Sequence, residues 1–298
     1  MKKLFQRLFT PVAAMLALGS AGQASAKGAV AHPAMWSVSD ADTTVYLFGT
    51  IHLLPSNYQW RTTKFDQAVS GSQQLMVETI VDQNNPQEML QALTGLAFSP
   101  NLPPITERVP PEKRADLEAA IAKSGIPRAS FDKMETWAAA FMLLGNQFKD
   151  MGLKVGEGVE IILRDSFTSQ GKSVGQLETN REQLSFFDAL PETAQRALLE
   201  GSIEEPKNMS KDFASMLGAW ARGDVNEIAE TFNRDLAVSP ELKDALLKRR
   251  NANWSRWVEQ RMATPGSVMV AVGAGHLAGR DSVVEMLKKS GYRVRRVQ

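Results

Sequence analysis

Two of the three histidines in this 298-residue chain, His52 and His276, occupy the same local sequence, Gly-x-x-His. Each follows a short apolar and β-branched run, residues 45–48 and 268–272, and each run is ended by a glycine. This pattern indicates a buried strand that ends in a tight turn. The two imidazoles are therefore predicted at the carboxyl ends of strands, the edge of an open α/β sheet where ligands bind.

Two glutamates, Glu78 and Glu178, also come directly after short runs that resemble buried strands. Two neutral imidazoles and one carboxylate are a common catalytic ligand set for a divalent ion of the zinc, manganese or cobalt type. We predict that His52, His276 and one of these two carboxylates, Glu78 or Glu178, hold such an ion, and that Glu78 or Glu178 transfers the proton.

The chemistry that this set would support is hydrolysis. A bound ion lowers the pKa of its water to about 7 and polarises a carbonyl oxygen. One alternative stays open at this point: each histidine could be a structural residue of the core, hydrogen-bonded near a turn. The repeated context of His52 and His276 favours a shared site.

A dense basic cluster lies on a long predicted helix, residues 239–263, and includes Arg250. Such a cluster is usually a solvated face. The other interpretation sends Arg250 or Asn251 into the cleft, where it would bind a substrate carboxylate or stabilise an oxyanion.

Several other site classes are excluded by composition and motif. The chain has no cysteine, so neither a Cys–His nucleophile nor a cysteine-based zinc site is possible. No GxSxG motif of a serine hydrolase is present. The GAGHLAG sequence around His276 is a poor dinucleotide fingerprint, because no acidic residue closes a second strand about 20 positions later.

Predicted strands and helices alternate near the two ends of the chain, and the middle of the chain is mostly helical. These elements must position the candidate residues. Residues 36–38 are predicted as an edge strand paired with 45–48. Further strands are predicted at residues 75–78, 172–177, 268–272 and 292–297. The predicted fold class is α/β, one domain over residues 27–298 with a central mixed sheet and a large helical insertion at roughly residues 85–265.

The N-terminus is typical of an export signal. Residues 1–26 have a basic start, an apolar stretch and the small residues that precede a cleavage site near Ala26. We therefore expect a bacterial periplasmic or secreted protein without a stable membrane span. Removal of three basic side chains makes the net charge of +1 slightly negative, which argues against a nucleic-acid partner. The oligomeric state stays open.

A resemblance to a known family is carried by a series of short blocks in order along the mature chain. They are LFGTIHLLP, MVET, GVE at 158–160, LET at 177–179, EQL at 182–184, RNANW at 250–254 and AVGAGHL. The chain resembles the TraB/GumN (TraB/PrgY) family, which is related to the Tiki metalloproteases and to erythromycin-esterase-like proteins.

The resemblance implies an α/β fold of two related halves, similar to the Tiki and erythromycin-esterase-like proteins. It implies metal chemistry at His52, Glu78 and His276, and it makes Arg250 and Asn251 stronger candidates for substrate binding. The activity it implies is that of a metal-dependent, peptidase-like hydrolase acting on a peptide or small molecule. Esterase-like relatives use histidine without metal, so the resemblance also allows His52 to act as a general base without an ion. An accessory role in the cell envelope, in which the cleft binds a peptide or glycan without turnover, is also compatible with the family.

Overall fold

A computed structural model describes residues 31–55, 58–82, 85–150, 158–203, 206–236 and 239–298, so the predicted signal at residues 1–26 lies outside the described residues. The strands are β1 (Met35–Ser39), β2 (Thr43–Thr50), β3 (Gln74–Val77), β4 (Ser173–Gln176), β5 (Gly266–Gly273) and β6 (Val294–Arg296). The α-helices are α1 (Thr63–Gly71), α2 (Gln87–Leu96), α3 (Arg114–Ser124), α4 (Arg128–Phe131), α5 (Thr136–Asp150), α6 (Val159–Ser169), α7 (Asn180–Asp188), α8 (Glu192–Gly201), α9 (Pro206–Ala221), α10 (Val225–Leu236), α11 (Pro240–Lys243), α12 (Arg250–Arg261) and α13 (Val283–Lys289).

The strands form one six-stranded mixed sheet in the order β4-β3-β5-β2-β1-β6. Strands β4, β3, β5 and β2 are parallel, and β1 runs antiparallel to both of its neighbours. The predicted mixed α/β sheet is confirmed. The predicted edge position of residues 36–38 is wrong, because β6 pairs outside β1 and places Val294 opposite Val38. The division of the fold into two related halves, which the family resemblance implies, stays a prediction.

Apolar side chains cover both faces of the sheet. Val270 of β5 belongs to the cluster that contains Trp254 of α12, and the adjacent Met269 belongs to the opposite cluster with Phe48. A strand that is buried on both faces appears in the sequence as a continuous apolar run. Such runs are the pattern from which these strands were predicted. Polar chemistry is therefore concentrated at the carboxyl ends of the strands.

The predicted helix over residues 239–263 begins as expected but is not a single α-helix. Ser239 caps it with its side-chain hydroxyl, and Pro240 takes the first position. A π-helical turn, Asp244–Arg249, separates α11 from α12. The extra residue in such a turn shifts the side chains that follow it. After this turn Arg250 is buried, whereas Trp257 is only partly buried.

Helices also pack around α5, whose Trp137 is fully buried. Helix α5 is separated from the short α4, and between them the Asp132 carboxylate accepts the Ile105 backbone N–H at 2.8 Å. Strand β4 lies inside the predicted insertion and joins this helical region to the sheet. In the described part of the chain, no helix has the length and apolar character required to cross a bilayer.

Candidate functional site

The histidines and glutamates predicted from sequence lie together at one edge of the sheet. Strands β2 and β5 end at paired residues, so His52 and His276 follow adjacent strand ends. Glu78 follows β3, and its Oε1 accepts the backbone N–H of Gly273 at 2.7 Å. Glu178 follows β4, and its backbone N–H donates to the Glu78 carbonyl at 3.0 Å. The carboxyl ends of four parallel strands thus bring these residues together.

Arg250 occupies the centre of this group and is 5% exposed. Its Nε donates to both carboxylate oxygens of Glu178, at 2.9 and 3.2 Å. Its Nη2 donates to Glu78 Oε2 at 2.6 Å and also contacts Glu178. The solvated-face interpretation is therefore wrong for Arg250, although the neighbouring Arg249 is exposed.

Arg250 and Asn251 together orient His276. The amide nitrogen of Asn251 donates to the Asp281 carbonyl at 2.7 Å, so its Oδ1 faces His276 Nδ1, 2.6 Å away. The Nδ1–H of His276 donates to that oxygen, and Nε2 accepts from Arg250 Nη1 at 3.2 Å. The His276 ring also packs on Trp254, with 4.5 Å between centroids. Both ring nitrogens of His276 are therefore engaged inside the protein.

His52 has a different partner, Glu160, which sequence reasoning did not select as a site residue. His52 Nδ1 lies 2.7 Å from Glu160 Oε1, and the Thr50 hydroxyl donates to the same oxygen. Because a carboxylate only accepts, the hydrogen of His52 is on Nδ1 and its Nε2 carries a lone pair. In the described part of the chain, Nε2 has no hydrogen-bond partner. The GVE block at 158–160 was the only sequence signal for Glu160.

Close backbone approach brings Glu160 to His52. The Val159 N–H, at the start of α6, donates to the Ile51 carbonyl at 3.1 Å. A Cβ on Gly158 would overlap the His52 carbonyl oxygen. Gly158 is therefore required for the first turn of α6 to pack against the Gly-x-x-His turn.

Gln183 is a second residue that sequence reasoning missed. It lies in the first turn of α7, which a capping box between Thr179 and Glu182 holds in place. Its Nε2 donates to Glu178 Oε1 at 3.2 Å and to Glu78 Oε2 at 3.4 Å. The EQL block contained this glutamine, but only the fold shows that it contacts both carboxylates.

Comparison with known proteins identifies the family. The profile of the TraB/PrgY/gumN family matches residues 34–296, nearly all of the described chain. The chain belongs to the TraB/PrgY/gumN family. Two relatives, each called "Uncharacterized protein YbaP", come from Escherichia coli (strain K12) and Shigella flexneri. Each is 26% identical over 247 residues, covering 82% of this chain and 87% of the relative. No solved structure matches the chain.

The two Gly-x-x-His histidines of this TraB/PrgY/gumN protein have opposite electrostatic environments. Burial disfavours the charged ring of His52, but the Glu160 carboxylate raises the pKa of His52 above its ordinary value of 6.5. Burial and the Arg250 guanidinium lower the pKa of His276 to about 3. His276 is therefore a neutral ring at pH 7, whereas His52 is suited to accept a proton.

The two glutamates also differ. Burial disfavours the charged form of Glu78, but the Arg250 guanidinium and the neighbouring histidines lower the pKa of Glu78 to about 2. Burial raises the pKa of Glu178, and the Glu78 carboxylate adds to the rise, against the opposing effect of Arg250. Arg250 itself stays charged, because the two carboxylates raise its pKa although burial opposes them.

The predicted metal ligands are His52, Glu78 and His276. Among the described residues, no group of three His, Asp or Glu side chains is placed to hold a metal ion. Arg250 contacts Glu78, Glu178 and the Nε2 of His276, so its guanidinium covers the lone pairs that a metal would need. As arranged, these residues do not fit a divalent ion. The ion itself stays a prediction.

Proposed function

We propose that this TraB/PrgY/gumN protein is a hydrolase in which His52 acts as general base without a bound metal. The observation that supports this most directly is the contact between His52 Nδ1 and Glu160, 2.7 Å long, which leaves Nε2 free to accept a proton. A histidine oriented by a carboxylate through one nitrogen, with the other nitrogen free, is the usual arrangement of a general base.

In the proposed reaction, His52 Nε2 removes a proton from a water molecule as the water oxygen attacks the carbonyl carbon of an ester or amide. The bond to the leaving group then breaks, and protonated His52 returns the proton to the leaving oxygen or nitrogen. Glu160 stabilises the imidazolium that forms in between. Positioned proton transfer of this kind contributes about 10²- to 10⁴-fold to a rate.

The other predicted site residues take supporting roles in this proposal. Arg250 holds Glu78 and Glu178 in place and keeps a fixed positive charge beside the strand ends. Asn251, whose side-chain oxygen and nitrogen are both engaged, orients His276. The substrate contacts of Arg250 and Asn251, and the proton transfer by Glu78 or Glu178, stay predictions.

The test measures hydrolysis by the purified chain with p-nitrophenyl esters and a mixed peptide library followed by mass spectrometry. We expect His52→Ala to reduce turnover by at least about 100-fold. The matched control is His32→Ala, since His32 is exposed and lies outside the site. Turnover should persist in EDTA. Loss of turnover in EDTA, restored by zinc or manganese, would establish the metal-dependent alternative, and intact ligands after long incubation would favour a binding protein.

Export of the protein is part of the proposal and rests on residues 1–26 alone. We propose a periplasmic or secreted location after cleavage near Ala26. N-terminal sequencing of the protein from a periplasmic fraction should begin at residue 27. An intact Met1 in the cytosolic fraction only would contradict it.

A further inference from the structure

We propose that Thr50 is a positioning residue for His52, because its hydroxyl holds the Glu160 carboxylate against the His52 ring. Through Glu160, Thr50 selects the His52 tautomer whose Nε2 is free to accept a proton. The inference rests on the proposed function, since it concerns the same general base.

Strand β2 directs the Thr50 side chain toward helix α6. Side chains alternate along a strand, so Thr50, the last residue of β2, lies on the same face as Phe48. Phe48 belongs to the apolar cluster that contains Val159 and Leu163 of α6. Thr50 is 2% exposed, and a buried hydroxyl on an apolar face requires a polar partner. Glu160 Oε1 accepts its hydrogen bond.

The same oxygen of Glu160 receives two hydrogen bonds. One comes from the buried Thr50 hydroxyl, and the other comes from Nδ1 of His52, whose side chain is 19% exposed. A carboxylate oxygen has two lone pairs, so it can accept from both donors together. The hydroxyl therefore fixes Oε1 from the buried side, in the position from which it accepts the hydrogen of the ring.

Without the hydroxyl, the Glu160 carboxylate would be attracted to its own helix. Glu160 is the second residue of α6, and the N-terminus of α6 has no side-chain cap. The free backbone N–H groups of a first helical turn attract a carboxylate. Its other oxygen, Oε2, already lies near that end, 2.8 Å from the position that a Cβ on Gly158 would take. The Thr50 hydrogen bond opposes a further movement of the carboxylate away from His52.

The Thr50 hydroxyl is not needed to attach α6 to the end of β2. The Val159 N–H donates to the Ile51 carbonyl at 3.1 Å, and Gly158 packs on the His52 carbonyl. These backbone contacts hold the start of α6 whichever way the Glu160 side chain points. Removal of the hydroxyl should therefore move the carboxylate and release the ring, while the helix stays in place.

The experiment compares Thr50→Val, which replaces the hydroxyl with a methyl group, with Thr50→Ser, which keeps the hydroxyl. Nitrogen-15 NMR of the histidine side chains, at a pH where the rings are neutral, reports the tautomer of His52, and His52→Ala assigns its signal. We expect the Nδ1–H form in the wild type and in Thr50→Ser, and a mixture of both tautomers in Thr50→Val.

The matched control is Thr43→Val, at the opposite end of the same strand. Thr43 is also 2% exposed, and its hydroxyl donates to the Thr264 carbonyl at 3.0 Å, away from His52. Thr43→Val should leave the tautomer of His52 unchanged. Thr50→Ala removes the same hydroxyl as Thr50→Val and replaces it in the test if the valine variant does not fold.

Hydrolysis gives a second measurement. Thr50→Val should lower kcat about tenfold with little change in KM, because the lost hydrogen bond orients the base and does not bind the substrate. Thr50→Ser should restore kcat, and Thr43→Val should keep it.

The wild-type tautomer of His52 in a folded variant without the Thr50 hydroxyl would overturn the inference. An equal effect of Thr43→Val, or a failure of Thr50→Ser to restore the wild-type tautomer, would also overturn it. The NMR measurement requires no turnover, so it decides the role of Thr50 even if the chain hydrolyses none of the substrates. Hydrolysis that depends on His52 would support the proposed function even if the tautomer does not change in Thr50→Val.

Discussion

Arg250 Nη1 lies 3.2 Å from His276 Nε2 and donates a hydrogen bond to the lone pair of that nitrogen. In the sequence, His276 has the same Gly-x-x-His context as His52. The two Gly-x-x-His motifs are therefore not equivalent. One histidine is buried between a guanidinium and an amide and stays neutral, whereas the other is paired with a carboxylate and has a free nitrogen. This difference underlies the proposed mechanism and the predictions below.

Removal of the Arg250 guanidinium should strongly destabilise the protein. Arg250→Met would leave Glu78 and Glu178 buried without their counter-ion, a loss of about 3–5 kcal/mol in the free energy of unfolding. Urea denaturation followed by circular dichroism measures it. Arg249→Met is the matched control, because Arg249 pairs with Asp244 on the exposed side and should cost less than about 1 kcal/mol. Equal effects of the two substitutions would contradict the central position of Arg250.

Loss of the Asn251 side chain should release His276. Asn251→Ala removes the acceptor of the buried Nδ1–H, which should cost about 1–3 kcal/mol. It should also redistribute the hydrogen between the two ring nitrogens, since Asn251 Oδ1 selects the Nδ1–H form. Nitrogen-15 NMR of the histidine side chains reports this directly, with His276→Gln used to assign the signal. An unchanged tautomer in Asn251→Ala would show that Arg250 alone orients the ring.

Stability should fall as the pH decreases from about 6.5 toward 3, partly because of His276. Its pKa is lowered from 6.5 to about 3 in the folded protein, so in this range the unfolded chain binds a proton that the folded chain does not. Above pH 6.5 neither state binds it, and this contribution is constant. His276→Gln should therefore lose less stability than the wild type between pH 7 and pH 4.5, measured by urea midpoints in EDTA. His32→Gln should follow the wild type.

A side chain at position 158 should disturb His52 through its backbone. The Cβ of Gly158→Ala would overlap the His52 carbonyl oxygen, so the start of α6 must move away. We expect a loss of about 1–3 kcal/mol, typical of overpacking, together with reduced hydrolysis because Glu160 moves with the helix. Gly71→Ala is the control: no atom lies within 4 Å of its Cβ position, and stability should be kept or slightly raised. Wild-type hydrolysis in Gly158→Ala would count against the role of Glu160.

The sequence by itself determined the family, the mixed α/β class and the strand ends at which His52 and His276 lie. Apolar runs ended by glycine report local conformation, and such runs are readable without the fold. Tertiary structure alone decided that Arg250 sits between the glutamates, that Glu160 orients His52, and that Gln183 contacts both acids. These partners are distant in the chain and come from helices whose rotation about their own axes no local pattern specifies. A π-helical turn before Arg250 changes that rotation. Strand β6 was predicted, but its place in the sheet was not, and its pairing with β1 puts the predicted edge strand inside the sheet. Hydrogen bonds between such elements depend on packing, so they appear only once the chain is folded.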